Sequence, residues 1–477
     1  MPHDIHLGVT GLRRSGKTVF LTALIYQLEQ LGSRHLDAFE NQGIKLCFAK
    51  TCWSADGREF PYEKYRDGLR RNPPEWPLPT DAEYVRTLEF KWQSSKSPAG
   101  LWTRLRRRSG VIRLHLHDYP GEYLLDVEMA RLNYRQWCQT ALIRMSKQSA
   151  KAAESYFKEV ATIVGIGGNG TATEQRLDAL RKAYGRFLIE AKRLGMEMLQ
   201  PGMTFVARDS DDPSTWGARA LPFVPLPPGV LSTDTVITEL ARAYDEYRRL
   251  KVKPFVARLA KIDRQLVLVD ILRVLRQGVD CFNDTQDCLA AVIGAYRYTS
   301  RTYQMATAFF PKPLRRWGGV QRVVFAATKA DHALMSHRRN MEALLEDLVR
   351  RSEGTIGAPG QQLIKGHHYF ASLRSTVDAV QKYQGQPQEV LLGKLSGKND
   401  DEIWNPGVVP SEWPSPRADG NEPWPMDDDR FRFLDFQPVS LPLREGAAWL
   451  NLNLDRVLWS VLGDCLGPAS HRMQTRK

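Results

Sequence analysis

Three short groups of residues have the types and spacing needed to handle a nucleoside triphosphate. The first is Gly11-x-x-x-x-Gly16-Lys17-Thr18. Glycines at these positions let a loop turn its backbone N–H groups toward one point, where an anion would sit. Lys17 supplies a cation for the β- and γ-phosphates. Thr18 supplies a hydroxyl for Mg²⁺, and a following helix would present its N-terminus to the anion. Arg14 and Ser15, inside the loop, join the expected phosphate contacts. Arg13 and Arg14 stand where many such loops carry small residues. One of them could fold over the phosphates and stabilise charge in a transition state; the alternative is that both point outward to carboxylates elsewhere.

The second group is Asp118-Tyr119-Pro120-Gly121-Glu122. Asp118 is the expected metal-linked carboxylate, and Gly121 offers an N–H to a γ-phosphate. An ordinary turn closed by Pro-Gly is the competing reading. Glu122 takes the place where related hydrolases orient a water. It would do the same or accept a proton, unless it is simply a solvated turn residue. Thr80, in "WPLPT", is the expected switch threonine for the metal, although turn chemistry explains its prolines equally well.

The third group is Thr328-Lys329-Ala330-Asp331. A carboxylate at Asp331 can accept from N1 and N2 of guanine, a pair that adenine lacks. The stem of Lys329 can pack on the base plane. The competing reading is a polar cap that opens a helix at Asp331. Ala371, Ser372 and Leu373 in "YFASLRST" are expected to meet the base through backbone groups.

The elements around these groups must hold them in register. "IHLGVTG" reads as a strand, and Phe20, Leu21, Leu24, Ile25, Leu28 and Leu31 repeat at helical spacing behind it. "YVRTLEFKW" and "VIRLHLHDYPGE" read as an antiparallel hairpin at a sheet edge. Residues 50–80 read as a long loop. Between 124 and 261, "CQTALIRMSKQSAKAAESYFKEVATIVG" and two later stretches are amphipathic helices, interrupted by a proline-rich loop. "RQLVLVDIL", "RVVFAATKADH" and "HHYFASLRST" return to strand character between helices, which indicates a parallel α/β sheet. "RFRFLDFQPV" reads as a last strand, and "AWLNLNLDRVLWSVLGDCL" as a closing helix. The expected division is a nucleotide-binding domain at 1–123 and 262–380, a helical insertion at 124–261, and a C-terminal extension at 381–477 packing on the core.

The chain has 477 residues, 42% hydrophobic and 25% charged, the balance of a globular protein. Its net charge of +13 favours anionic partners without choosing among them. The six cysteines include no Cys-x-x-Cys pair, so reduced thiols in a cytoplasmic protein are expected. No signal peptide or spanning segment is indicated; "LVLVDILRVL" is interrupted by Asp270 and Arg273. "RLRRR" at 104–108 lacks aromatic interleaving, so no specific nucleic acid is expected as a partner.

"GLRRSGKTVFLTALI", "DYPGE", "RQLVLVDIL" and "TKADH" together resemble the YcjX-like family of bacterial P-loop NTPases, within the GTPase class. The double-arginine loop is the most specific piece. The resemblance implies a Ras-like GTPase fold: a mostly parallel sheet flanked by helices, with the insertion and extension added. It also implies GTP/GDP and Mg²⁺ as ligands, a cytoplasmic location and a link to envelope stress in some bacteria. The glutamine of Ras-like enzymes is absent, so slow hydrolysis is expected. Two function classes stay open: a slow GTPase acting as a switch, and a non-hydrolysing, nucleotide-dependent interaction protein. The second would dock a membrane-associated partner, peripherally at the inner membrane, or a nucleic acid.

Overall fold

A computed structural model describes residues 3–12, 14–30, 36–53, 57–78, 82–95, 109–148, 150–165, 171–205, 221–228, 235–307, 319–356, 363–398, 400–414, 431–439 and 451–466. The main sheet contains β1 (His3–Gly11), β2 (Ile44–Cys52), β3 (Arg58–Glu59), β4 (Tyr84–Ser94), β5 (Ser109–Asp118), β6 (Arg264–Val269), β7 (Arg322–Ala327) and β8 (Ile364–Tyr369). Their order is β2-β4-β5-β1-β6-β7-β8, with β3 beside β4. β5, β1, β6, β7 and β8 run parallel to one another, while β4 is antiparallel to both β5 and β2. This is an α/β P-loop NTPase sheet, mostly parallel and flanked by helices. The five parallel strands all finish at one edge, where open α/β sheets place their ligands.

The alternation of β1 explains its position. Ile5, Leu7 and Val9 are fully buried and pack with Leu114, Leu116, Phe20, Leu24 and Val457. Helix α1 (Lys17–Glu29) and the helix Leu454–Leu462 cover that face. Arg264 pins the latter helix to the start of β6, with a fork to Asp464 at 2.8 and 3.1 Å and a bond to the Val461 carbonyl. The opposite face is covered by the helices Ile271–Gln277, Val279–Thr307 and Arg338–Ile356. β6 is buried along its whole length, as a strand sandwiched on both sides must be.

The helices Tyr134–Gln148, Ala150–Gly165, Thr171–Arg193 and Thr235–Tyr247 share a separate core. It is rich in aromatics: Trp137 meets Phe223 edge-on at 4.9 Å, and Tyr244 lies against both. A second, three-stranded antiparallel sheet joins β9 (Thr376–Tyr383), β10 (Gln386–Lys394) and β11 (Asp401–Trp404). β9 runs through the 380/381 boundary drawn from the sequence.

Several local expectations change. The β4–β5 hairpin forms, but β2 pairs outside β4, so the hairpin is not at the edge. Within the expected loop at 50–80, Tyr62–Leu69 is a helix. "RFRFLDFQPV" makes only isolated bridges, Phe431 with Gly407 and Phe436 with Leu395. Gln384 and Gly385, at φ 49° and 79°, form the two-residue turn between β9 and β10. Both left-handed positions match a type I′ hairpin turn, whose usual sequence signal is Asn-Gly rather than Gln-Gly. Among the described residues, no helix is long and apolar enough to cross a membrane.

Candidate functional site

The phosphate end is built where β1 gives way to α1. Ser15 N–H donates to the Leu12 carbonyl at 3.1 Å, closing the loop. Gly16 adopts φ 80°, a left-handed conformation that disfavours other residues. Gly11 has no room for a side chain, since a Cβ there would lie 2.2 Å from Ser15 Oγ. The hydroxyls of Thr10 and Ser15 are buried without a hydrogen-bond partner among the described residues. Orphan donors beside a loop of N–H groups fit an anion site.

Lys17 Nζ donates to Asp118 Oδ1 at 2.5 Å and to the Tyr119 carbonyl at 2.9 Å. The pairing follows from register, because β1 and β5 are parallel neighbours with Val9 opposite Asp118. Asp118 is 2% exposed, and Thr18 is 6% exposed on the first turn of α1. Gly121 presses on the phosphate loop itself, where a Cβ would stand 2.3 Å from the Gly11 carbonyl oxygen. Glu122 opens the one-turn helix Glu122–Leu125. Its carboxylate is bonded to no described side chain.

The base end is built by the loops after β7 and β8. Thr328 N–H donates to the Val269 carbonyl, and Ala330 N–H to the Phe370 carbonyl. Asp331 does not cap a helix; it sits inside the short 3₁₀ turn Ala330–His332. Its Oδ2 accepts from both the N–H and the hydroxyl of Ser375, at 2.7 and 2.9 Å. Ser375 Oγ is also 2.8 Å from His332 Nε2. Because the serine proton goes to Asp331, His332 Nε2 is assigned as the donor in that pair. Oδ1 of Asp331 receives no hydrogen bond from a described residue, and Asp331 lines the cavity described below.

Lys329 adopts φ 57° and pairs with Asp270 at 2.8 Å and Asp435 at 3.4 Å. Burial alone would lower its pKa, but the two carboxylates outweigh it and hold the ammonium above its ordinary range. The N–H of Ala371 is committed to the Leu452 carbonyl at 3.0 Å. The Leu452 N–H in turn donates to the Ala371 carbonyl at 2.9 Å, so both backbone groups of Ala371 are engaged with Leu452.

One cavity of about 1110 Å³ joins the two ends. The phosphate loop lines it with Gly11, Arg14, Ser15, Gly16, Lys17 and Thr18, and the next strand end adds Gly121 and Glu122. Thr328, Lys329, Asp331, Ala371, Ser372 and Leu373 line it at the base end. Asp118 is held beneath the cavity by Lys17. Arg14 is exposed at φ 60° and makes no ion pair with a described residue. Arg13, Thr80 and residues 104–108 lie outside the described residues.

The sequence reading missed several lining groups. Lys192, Met196, Glu197 and Leu199 come from the helical insertion, and Asp435 and Phe436 from the C-terminal segment. Trp76 also lines the cavity and donates its indole N–H to the Phe436 carbonyl at 3.2 Å. Ser375 was the most detectable omission, as a hydroxyl four residues beyond Ala371 in a stretch already singled out.

A model of the YcjX-like family, DUF463, matches residues 5–466. A protein named Ras-like GTPase YcjX from Escherichia coli (strain K12) is 28% identical over 480 residues, which is 97% of this chain and 96% of that one. Its namesake from Shewanella oneidensis (strain MR-1) is 27% identical over 489 residues, 97% of this chain and 94% of that one.

Proposed function

This chain belongs to the YcjX-like family, and on that premise we propose that it binds GTP and GDP with Mg²⁺, hydrolyses GTP slowly, and works as a nucleotide-dependent switch. One observation carries the reading. One cavity joins a phosphate loop to a carboxylate, Asp331, that is fixed on one oxygen by Ser375 and has no partner among the described residues on the other. A purine with adjacent N–H donors satisfies that oxygen, and adenine does not.

The donor set fits Mg²⁺. Thr18 and Asp118 are hard oxygen ligands, both close to the phosphate loop. Among the described residues no cluster of three metal-binding side chains occurs. Mg²⁺ would need only one or two protein oxygens, with water and phosphates as its other ligands. When bound, Mg²⁺ would supply positive charge against the charge that develops on the phosphates.

The chain's own groups do the rest. Lys17 leaves Asp118 and moves to the β- and γ-phosphates. Arg14, exposed on the loop and free of a described carboxylate, adds positive charge there. The Gly121 N–H faces the terminal phosphate, and Glu122 orients or deprotonates the attacking water. The envelope-stress role implied by the resemblance belongs to the same proposal.

Titration calorimetry with GTP, GDP and ATP in the presence of Mg²⁺ is the test. GTP and GDP are expected to bind at least about 100-fold more tightly than ATP, the discrimination of a site whose buried polar group the wrong base leaves unpaired. A preference for ATP would overturn the reading.

A further inference from the structure

The segment after Gly121 is gripped by the helical insertion. Asp126 is fully buried one helical turn beyond Glu122. Its Oδ1 accepts the Gly202 N–H at 2.9 Å, and its Oδ2 accepts the Met203 N–H at 2.9 Å and the Tyr247 hydroxyl at 2.6 Å. Gln200, on the same insertion turn, donates its amide to the Leu125 carbonyl at 2.6 Å. The Trp137 indole fixes that amide by donating to its oxygen at 2.8 Å. Gly202 lies so close that a Cβ would stand 2.3 Å from the Glu122 carbonyl oxygen. On the other side, a Cβ on Gly121 would stand equally close to the Gly11 carbonyl oxygen. A helix of one turn cannot hold its own shape. The turn Glu122–Leu125 is therefore shaped by what grips it, the phosphate loop on one side and the insertion on the other.

We propose that Asp126 is a positioning residue, which through Gly202, Met203 and Tyr247 holds the Glu122–Leu125 turn so that the Glu122 carboxylate meets the phosphate end of the cavity. The insertion thereby sets the rate of turnover rather than the affinity. This rests on the GTP-hydrolysis reading above. It also gives the insertion a defined place to act: a partner that shifts the turn Gln200–Met203 moves Glu122 with it.

The test is steady-state GTP hydrolysis by the full chain with Mg²⁺, resolving kcat from KM, alongside thermal melts. The variants are Tyr247→Phe, Asp126→Asn and Tyr134→Phe. Tyr247→Phe removes one hydroxyl and keeps the ring, so it stays informative should Asp126→Asn fail to fold. The expected kcat falls about 10-fold in Tyr247→Phe and about 100-fold in Asp126→Asn, with KM within about twofold, the pattern of lost positioning. Tyr134→Phe deletes a bond to the Val224 carbonyl at 2.7 Å inside the insertion, keeps the ring, and removes no bond to Asp126 or Gln200. It is expected to lower the melting temperature and leave kcat unchanged. Wild-type kcat in folded Tyr247→Phe and Asp126→Asn overturns the positioning role alone, as does an equal loss in Tyr134→Phe. A wild-type chain that neither binds nor hydrolyses GTP overturns the premise and this inference together.

Discussion

Replacing Asp331 by asparagine separates recognition of the base from everything else in the cavity. The structure dictates which way the new amide must face. Ser375 presents two donors, its N–H and its hydroxyl, at 2.7 and 2.9 Å from Oδ2. His332, as assigned above, donates into the same serine, which keeps the hydroxyl proton aimed at residue 331. An asparagine therefore turns its carbonyl toward Ser375 and its NH₂ into the cavity. There it meets the N1–H and N2–H donors of guanine, donor against donor. Two hydrogen bonds to a charged acceptor are lost, each worth about 1.5–3 kcal/mol. The sum of roughly 3–6 kcal/mol corresponds to a loss of about 10²- to 10⁴-fold in GTP affinity. Xanthine carries a carbonyl in place of the guanine N2 amine, so the turned amide can donate to it. Calorimetry of Asp331→Asn with GTP, XTP and ATP is the assay. The expected order is XTP tightest, with GTP reduced by the stated factor. GTP affinity within about threefold of wild type, or no gain for XTP, refutes the assignment of Oδ1 as the base-reading oxygen.

Other perturbations probe the remaining parts. Ser375→Ala removes one of the two bonds that orient Asp331 and should weaken GTP about 10-fold while leaving weak ATP binding unchanged, read by calorimetry. Gly121→Ala places a Cβ 2.3 Å from a backbone oxygen that cannot swing aside; hydrolysis should fall at least about 10-fold, and unchanged turnover would show the two loops are not in contact. His117 is half-buried beside His6 and His115, and desolvation followed by the charges of those neighbours and Lys261 pushes its pKa down to about 3. Its folded pKa lies below the unfolded value of about 6.5, so below that pH the unfolded chain binds the extra proton and stability drops as pH falls toward 3. Between pH 7 and pH 5 this one group should remove about 2 kcal/mol. Urea melts of wild type and His117→Gln at both pH values isolate it, and an equal loss in the two proteins would clear His117 of the effect.

The legible parts were those in which local chemistry is also the functional chemistry. Gly11 to Thr18 is one loop, and its neighbours in the chain are its neighbours in space. The apolar alternation of β1 and β5 is visible because one face of each must be buried, and the α/β architecture follows from such runs. Asp331 stood out because Thr-Lys-x-Asp follows a buried strand, and the structure sets it on the cavity lining at the end of that strand. Shorter elements were less legible. The helix Tyr62–Leu69 has only three buried residues, too few to mark a period. β2 is half exposed beyond its first residues, so its pattern fades along the strand. The strand expected at "RFRFLDFQPV" has alternating large residues, but Phe431 and Phe436 use them to bridge separate partners.

The sequence by itself determined the glycine-rich loop between a strand and a helix, the order of the three motifs and the side-chain types each brings to the cavity. These depend on side-chain type and on bonds between near neighbours. Only the tertiary structure decided that Ser375 rather than Ser372 steadies Asp331, that Ala371 is spent on Leu452, and that Lys329 answers to Asp270 and Asp435. It also decided that Asp126 joins the turn after Gly121 to Gly202 and Tyr247. Those partners are separated by tens to hundreds of residues, and a hydrogen bond reaches about 3 Å. Which groups come within that reach is set by how the sheet, the insertion and the C-terminal segment pack, and no local pattern encodes it.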